Sequence, residues 1–187
     1  MDARKLTDKY SVSPQITVED LPQIAEAGFT TVICNRPDGE GADQPSFEEI
    51  EAAAGKLGME ARYLPIVAGK VGDTDAEEFG RLMESLPKPI LAYCRTGTRS
   101  ATLWSLSQAE KLPLSDILSK TKAAGYDMGG VARRLPADDI LEPQGRPGEE
   151  EEREADRAAL ETAPAASEED VMRAYQAELE SGRDDRF

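Results

Sequence analysis

Three short apolar runs punctuate the first hundred residues: Thr30-Thr31-Val32-Ile33-Cys34, Ala61 to Val67, and Pro89 to Tyr93. Each is rich in β-branched or aromatic residues and too brief for a helix, so each predicts a strand. Tyr10-Ser11-Val12-Ser13 reads as a weak edge strand. The intervening stretches carry the helical period instead. Leu21, Ile24 and Ala25 form one apolar stripe; Ile50, Ala53, Ala54 and Leu57 a second; Phe79, Leu82 and Met83 a third; Leu114, Ile117 and Leu118 a fourth, entered at Pro113. Capping boxes open the first three at Thr17-Val18-Glu19-Asp20, Ser46-Phe47-Glu48-Glu49 and Thr74-Asp75-Ala76-Glu77, and Gly28 and Gly58 close two of them. Ser100 to Leu106 reads as a further helix directly after the third strand. This alternation predicts an α/β fold with a central, mainly parallel sheet flanked by helices. Such sheets bind ligands beyond the carboxyl ends of their strands. That rule singles out Asn35 to Glu40, Val67 to Lys70, and the loop that begins at Cys94. Pro37, Asp38 and Gly39 are ordinary turn residues, but turn chemistry explains neither Arg36 nor Glu40.

The pattern changes near residue 131. Residues 131–187 hold 17 Asp and Glu against 8 Arg and no Lys, which is −9 of the chain's net −15. Pro136, Pro143 and Pro147 interrupt the first half, and Glu149 to Glu152 repel one another. The expected organisation is therefore a catalytic domain over 1–130 and an acidic extension over 131–187, disordered or partly helical. Ser167-Glu168-Glu169-Asp170 would cap a last helix whose stripe is Val171, Met172, Tyr175 and Leu179. That stripe is narrow enough to suit a solvated helix better than a docking helix for a partner.

Charge and composition exclude several chemistries. A net charge of −15 supplies no basic stripe for nucleic acid or for an anionic membrane surface. No apolar run is long enough to span a bilayer, and Met1 to Leu6 opens no signal peptide. Two cysteines and no export signal fit a reducing cytoplasm. The chain contains no histidine, which removes imidazole bases and His-based metal sites, and Cys34 and Cys94 have no metal-ligand spacing. No cofactor or metal is expected.

The remaining chemistry lies in Tyr93-Cys94-Arg95-Thr96-Gly97-Thr98-Arg99-Ser100. A strand ends in a cysteine, a loop with one glycine and two arginines follows, and a helix begins. A thiol at a helix entrance, ringed by amides and guanidinium groups, is held as thiolate, and the same amides receive an anion. Cys94 and Arg99 are the candidate catalytic residues. Arg95, Thr96, Gly97, Thr98 and Ser100 are candidate substrate contacts, with Arg36 at the pocket edge. Phosphatases of the cysteine class place the arginine six positions after the cysteine, whereas here Arg99 is five positions on. The shorter loop resembles that of rhodanese-type sulfurtransferases, in which Cys-Arg-x-Gly-x-Arg/Thr is common, and a tighter ring of amides suits one persulfide sulfur.

Three blocks together resemble the phosphatase-like domain of beta-lactamase hydrolase-like proteins: Lys5 to Ile16, Thr31 to Glu40 with Gln44-Pro45-Ser46-Phe47, and Tyr93 to Ser100. The likeness runs over roughly residues 3–128. It implies a fold similar to dual-specificity phosphatases. It also implies co-occurrence with persulfide dioxygenase domains, and hence a persulfide dioxygenase partner. The Tyr93 that replaces the histidine of tyrosine phosphatases and the displaced arginine favour sulfur transfer. In that expectation Cys94 takes sulfane sulfur from a small anionic donor and passes it to a thiol or cyanide acceptor. A cysteine-dependent phosphatase working through phosphocysteine is the alternative, with Asp73 or Asp75 as the proton donor it would require. The third reading is a non-catalytic sulfur carrier or redox sensor.

Overall fold

Five strands form one sheet in the computed structural model of the chain, which describes residues 1–134. In chain order they are β1 (Arg4–Thr7), β2 (Tyr10–Ser13), β3 (Thr31–Cys34), β4 (Glu60–Tyr63) and β5 (Ile90–Tyr93), and across the sheet they run β1-β2-β5-β3-β4. Only β1 and β2 are antiparallel; the other neighbours are parallel. The helices are α1 (Leu21–Glu26), α2 (Phe47–Lys56), α3 (Asp73–Ser85), α4 (Thr98–Ser107), α5 (Leu114–Ala123) and α6 (Gly129–Ala132). The expected α/β architecture is present, with two corrections at its edges. Tyr10–Ser13 is not an edge strand, because Arg4–Thr7 pairs outside it. The second apolar run stops being a strand at Tyr63, since Pro65 cannot supply a ladder donor.

Alternation along the strands sorts the core into two layers. Ile33, Ile90 and Ala92 face Phe79 of α3, Leu103 and Trp104 of α4 and Ile117 of α5. Val32, Cys34, Leu91 and Tyr93 face Leu21 and Ile24 of α1 and Ile50 and Ala54 of α2. Each fully buried large side chain contributes about 1.5–3 kcal/mol of transfer free energy. Tyr10 locks the first layer: it stacks on Trp104 at 6.3 Å between centroids and meets Phe79 edge-on at 5.7 Å.

Local capping also fixes where the helices begin. Ser46 and Glu49 form the predicted box at α2, with the Ser46 amide donating to Glu49 Oε2 at 2.8 Å. The box at α3 starts two residues earlier than predicted: Gly72 rather than Thr74 is the cap residue, and its amide donates to Asp75 Oδ2 at 2.8 Å. Packing continues past residue 130, where the sequence pattern placed the domain's end. Val131 is buried in the first core layer, and Arg134 donates to the Val71 carbonyl at 2.8 Å and to Asp73 at 2.7 Å. The acidic run and the Val171, Met172, Tyr175 and Leu179 stripe lie outside the described residues. Among the described residues no helix is long and apolar enough to cross a membrane.

Candidate active site

The sheet register brings the chemistry together. Ser13, Tyr93, Cys34 and Tyr63 are aligned across β2, β5, β3 and β4, so the chain leaves all four strands at one level. Tyr93 faces the α1/α2 layer, so the next residue, Cys94, turns toward α4. Cys94 is buried, and the Gly97 amide donates to its Sγ at 3.1 Å. Gly97 is the cap residue of α4, whose first amides have no partner within the helix and carry its positive end. Amide donors placed in this way suit an anion.

Arg99 stands in the first turn of α4 and is buried to 9 % exposure. Its Nη1 donates to Glu40 Oε1 and to the Ile66 carbonyl, both at 2.8 Å, and its Nη2 donates to Glu40 Oε2 at 2.9 Å. The hydrogen bonds to Glu40, opposed by burial and helped by the nearby Cys94, raise the guanidinium above its ordinary range. Glu40 fixes one edge of the fork. Arg36 completes the clamp: its Nε donates to Glu40 Oε2 at 2.7 Å and its Nη1 to Gln15 Oε1 at 3.0 Å. The Arg99 hydrogen bonds, opposed by partial burial and reinforced by Arg36, bring the Glu40 carboxyl down to about 2 from an ordinary 4.5.

The sign of that shift gives a test. A depressed carboxyl stabilises the fold in full above pH 4.5 and loses that contribution as the pH falls toward 2. Glu40→Gln is expected to melt below the parent at neutral pH, with the gap narrowing under pH 4.5 and closing near pH 2. Thermal melts across that range check it; a gap that stays constant with pH would refute the clamp's ionic character.

The other predicted residues divide. Ser100 is buried and points away from solvent, donating to Asn35 Oδ1 at 2.8 Å, while Asn35 Nδ2 donates to the Leu64 carbonyl at 3.0 Å. Ser100 thus ties α4 to the ends of β3 and β4. Arg95, Thr96 and Thr98 are exposed on the loop, and the Thr96 and Thr98 hydroxyls are 3.1 Å apart. The Val67 to Lys70 turn is exposed, and the preceding Ile66 supplies the carbonyl that holds Arg99. Neither proposed proton donor is free: Asp75 caps α3 and Asp73 is paired with Arg134.

Tyr126, which no sequence signal marked, underlies the loop. Its hydroxyl donates to the Thr96 carbonyl at 3.2 Å, and the Arg4 guanidinium covers its ring at 5.1 Å. Gly97 has φ 89°, and a Cβ there would lie 2.0 Å from the Tyr126 hydroxyl and 2.8 Å from Cζ. Gly97→Ala should therefore lower the melting temperature and depress turnover together. The left-handed backbone alone costs about 1–2 kcal/mol, before the ring is displaced. Tyr126→Phe in the same chain removes the nearer atom but not Cζ, so it should restore only part of the loss. A Gly97→Ala protein that melts with the parent would contradict this packing.

Comparison with known proteins adds to this geometry. A candidate phosphatase of Neisseria meningitidis is 37 % identical in its solved structure, with TM-score 0.66 over 74 % of this chain and 99 % of that one. The active form of Tk-PTP has the same fold at TM-score 0.59 and 19 % identity, over 75 % of this chain and 97 % of that one. The beta-lactamase hydrolase-like protein of Agrobacterium fabrum is 31 % identical over 137 residues, 72 % of this chain and 32 % of that protein. The chain thus spans about a third of the length of the curated relatives it matches.

These likenesses overturn the sulfurtransferase expectation, and the geometry explains why its two supports failed. Loop length does not discriminate, because Arg99 still stands in the first turn of α4, the helix whose cap amide binds Cys94 Sγ, despite its displacement by one position. Tyr93 does not discriminate either, because it is buried on the opposite face of the sheet against Cys34. Residues 2–111 match the family of the beta-lactamase hydrolase-like protein, phosphatase-like domain, and the chain belongs to that family.

Proposed function

We propose that the chain is a cysteine-dependent phosphatase that works through a phosphocysteine. The observation that carries this reading is the likeness to the Neisseria meningitidis phosphatase candidate, which extends over 99 % of that chain and 74 % of this one. The geometry supports it. Cys94 Sγ attacks phosphorus, the S–P bond forms, and the P–O bond to the leaving group breaks. The phosphoryl oxygens are received by the Gly97 amide, the free amides of the first turn of α4, and the Arg99 guanidinium, which Glu40 holds in one orientation. Water then attacks phosphorus, the S–P bond breaks, and the thiolate returns. Arg95, Thr96 and Thr98 face solvent at the mouth, where they contact the substrate. Arg36 and Ser100 are positioning residues: the first steadies Glu40, the second anchors α4.

The test is rapid mixing of the full chain with an aryl phosphate, acid quenching and intact-mass analysis. A transient gain of one phosphoryl group that maps to Cys94 is expected. Turnover with no such species, or with the group on another residue, would refute the reading.

A further inference from the structure

The two elements that bracket the Cys94 loop, β5 and α4, also border a cavity at their far ends. It holds about 340 Å³, between α3, α4 and the turn that joins β1 to β2. Ile90, the first residue of β5, is paired in register with Tyr10 of β2, and both line it together with Trp104 of α4 and Met83 of α3. Tyr10, Ile90 and Trp104 belong to the buried core, so the inner wall of the cavity is apolar. Four residues of β5 separate Ile90 from Cys94, roughly 13 Å at the rise of a parallel strand. The cavity and the Cys94 loop are therefore at opposite ends of the sheet.

The outer wall is different in kind. Three exposed lysines border the cavity, Lys9 from the β1–β2 turn, Lys88 before β5 and Lys111 after α4, against one carboxylate, Glu84. Lys111 already neutralises Glu84 in an ion pair. Lys88 gives two of its hydrogens to the Glu84 and Leu86 carbonyls at the end of α3, each at 3.0 Å, and an ammonium carries three. In a chain of net charge −15 this rim holds three positive charges against one negative. Lysines present a compact point charge rather than the planar fork of arginine, and a small carboxylate head suits them. The volume is at the lower end of the range for small-molecule sites, which matches a short apolar body better than a peptide segment.

We infer that this cavity is a second binding site, separate from the Cys94 loop, for a small carboxylate with a short apolar body. The head meets the ammonium groups of Lys9, Lys88 and Lys111, and the body lies on Tyr10, Ile90, Trp104 and Met83. Neither end suffices alone: the lysines give the sign of the charge, and the apolar wall gives the area removed from water.

Trp104 is the chain's one tryptophan, so its emission reports the cavity directly. Octanoate titrated into the full chain should change that emission saturably, with a Kd of about 1 mM or below. Octanamide and octylamine keep the body without the negative charge, and acetate keeps the head without the body; each should bind roughly tenfold more weakly or worse. Lys9→Glu should weaken octanoate by roughly tenfold with an unchanged melting curve, since the Lys9 side chain is exposed. Lys88→Ala should weaken it by about threefold, and serves if the first variant does not fold. Saturating inorganic phosphate should not compete. Trp104 emission that octanoate leaves unchanged would overturn the inference. So would octanamide binding as well as octanoate, which shows an apolar cavity without choice of charge, or acetate doing so, which shows surface charge alone. Unchanged affinity in the folded lysine variants, or competition by phosphate, would place the anion elsewhere and overturn it too. None of these outcomes touches the phosphatase reading, because turnover at Cys94 is not measured.

Discussion

Replacing Cys94 by serine is expected to abolish phosphate-ester turnover while the fold is retained. The smaller Oγ occupies the same pocket and still accepts from the Gly97 amide. A hydroxyl at that place does not ionise near neutral pH, so the donors around it have no nucleophile to present. Removing the nucleophile of a covalent mechanism costs on the order of 10⁴-fold or more. Turnover of an aryl phosphate and a thermal melt on the same preparation check both halves. Cys34→Ser is the control and should keep turnover, because Cys34 lies in the α1/α2 layer on the other side of the sheet. Retained activity in Cys94→Ser would remove the nucleophile assignment. Loss of activity in a folded Cys34→Ser would show that the second thiol participates.

Arg99→Ala is expected to lower kcat/KM by roughly ten- to a hundredfold, from the 1.5–3 kcal/mol that a charge-assisted hydrogen bond to an anion contributes. The variant should also melt lower than the parent. It leaves the Ile66 carbonyl without its donor and Glu40 with Arg36 alone. Arg99→Lys separates the two effects: it keeps the charge and loses the fork that binds Glu40 through both oxygens. Arg36→Ala should harm turnover less, since Arg36 meets Glu40 and Gln15 rather than the sulfur. If kcat/KM falls further in Arg36→Ala than in Arg99→Ala, the anion is held by the loop after β3 and the ranking is wrong.

Much of this arrangement could be read from the chain because its signals are local. The Ser46 box, the Pro113 start and the β-branched runs each act within one turn or one strand, and each element formed at or near those residues, the second strand shortened by Pro65. Cys94, Gly97 and Arg99 lie within six consecutive residues, from the loop after β5 into the first turn of α4, so their convergence needed no tertiary knowledge. The partners that make the loop work are distant in sequence. Gln15, Glu40, Ile66 and Tyr126 reach it from four other segments. Of these only Glu40 left a trace, as a charge that a Pro-Asp-Gly turn does not require. The Ile66 contribution is a backbone carbonyl, which no side-chain pattern encodes. The first strand escaped because Arg4–Thr7 is four residues long and polar on its exposed positions. The choice of reaction failed for a related reason: it relied on counting residues in the loop, while the reach of a long guanidinium side chain makes that count a weak constraint on where its charge arrives.

The placement of the two thiols on opposite faces of the sheet has a consequence for how the protein meets oxidants. Cys34 lies in the α1/α2 layer with Tyr93, and its thiol donates to the Arg36 carbonyl at 3.3 Å. A disulfide requires Cβ atoms about 3.5–4.5 Å apart and directed at each other. Cys34 points into the α1/α2 layer, while the Cys94 sulfur is directed at the Gly97 amide that caps α4. Peroxide should therefore take Cys94 to a sulfenic acid that finds no internal thiol to capture it. Recovery then depends on a small external thiol, and prolonged exposure drives the sulfur on to the irreversible sulfinic and sulfonic acids.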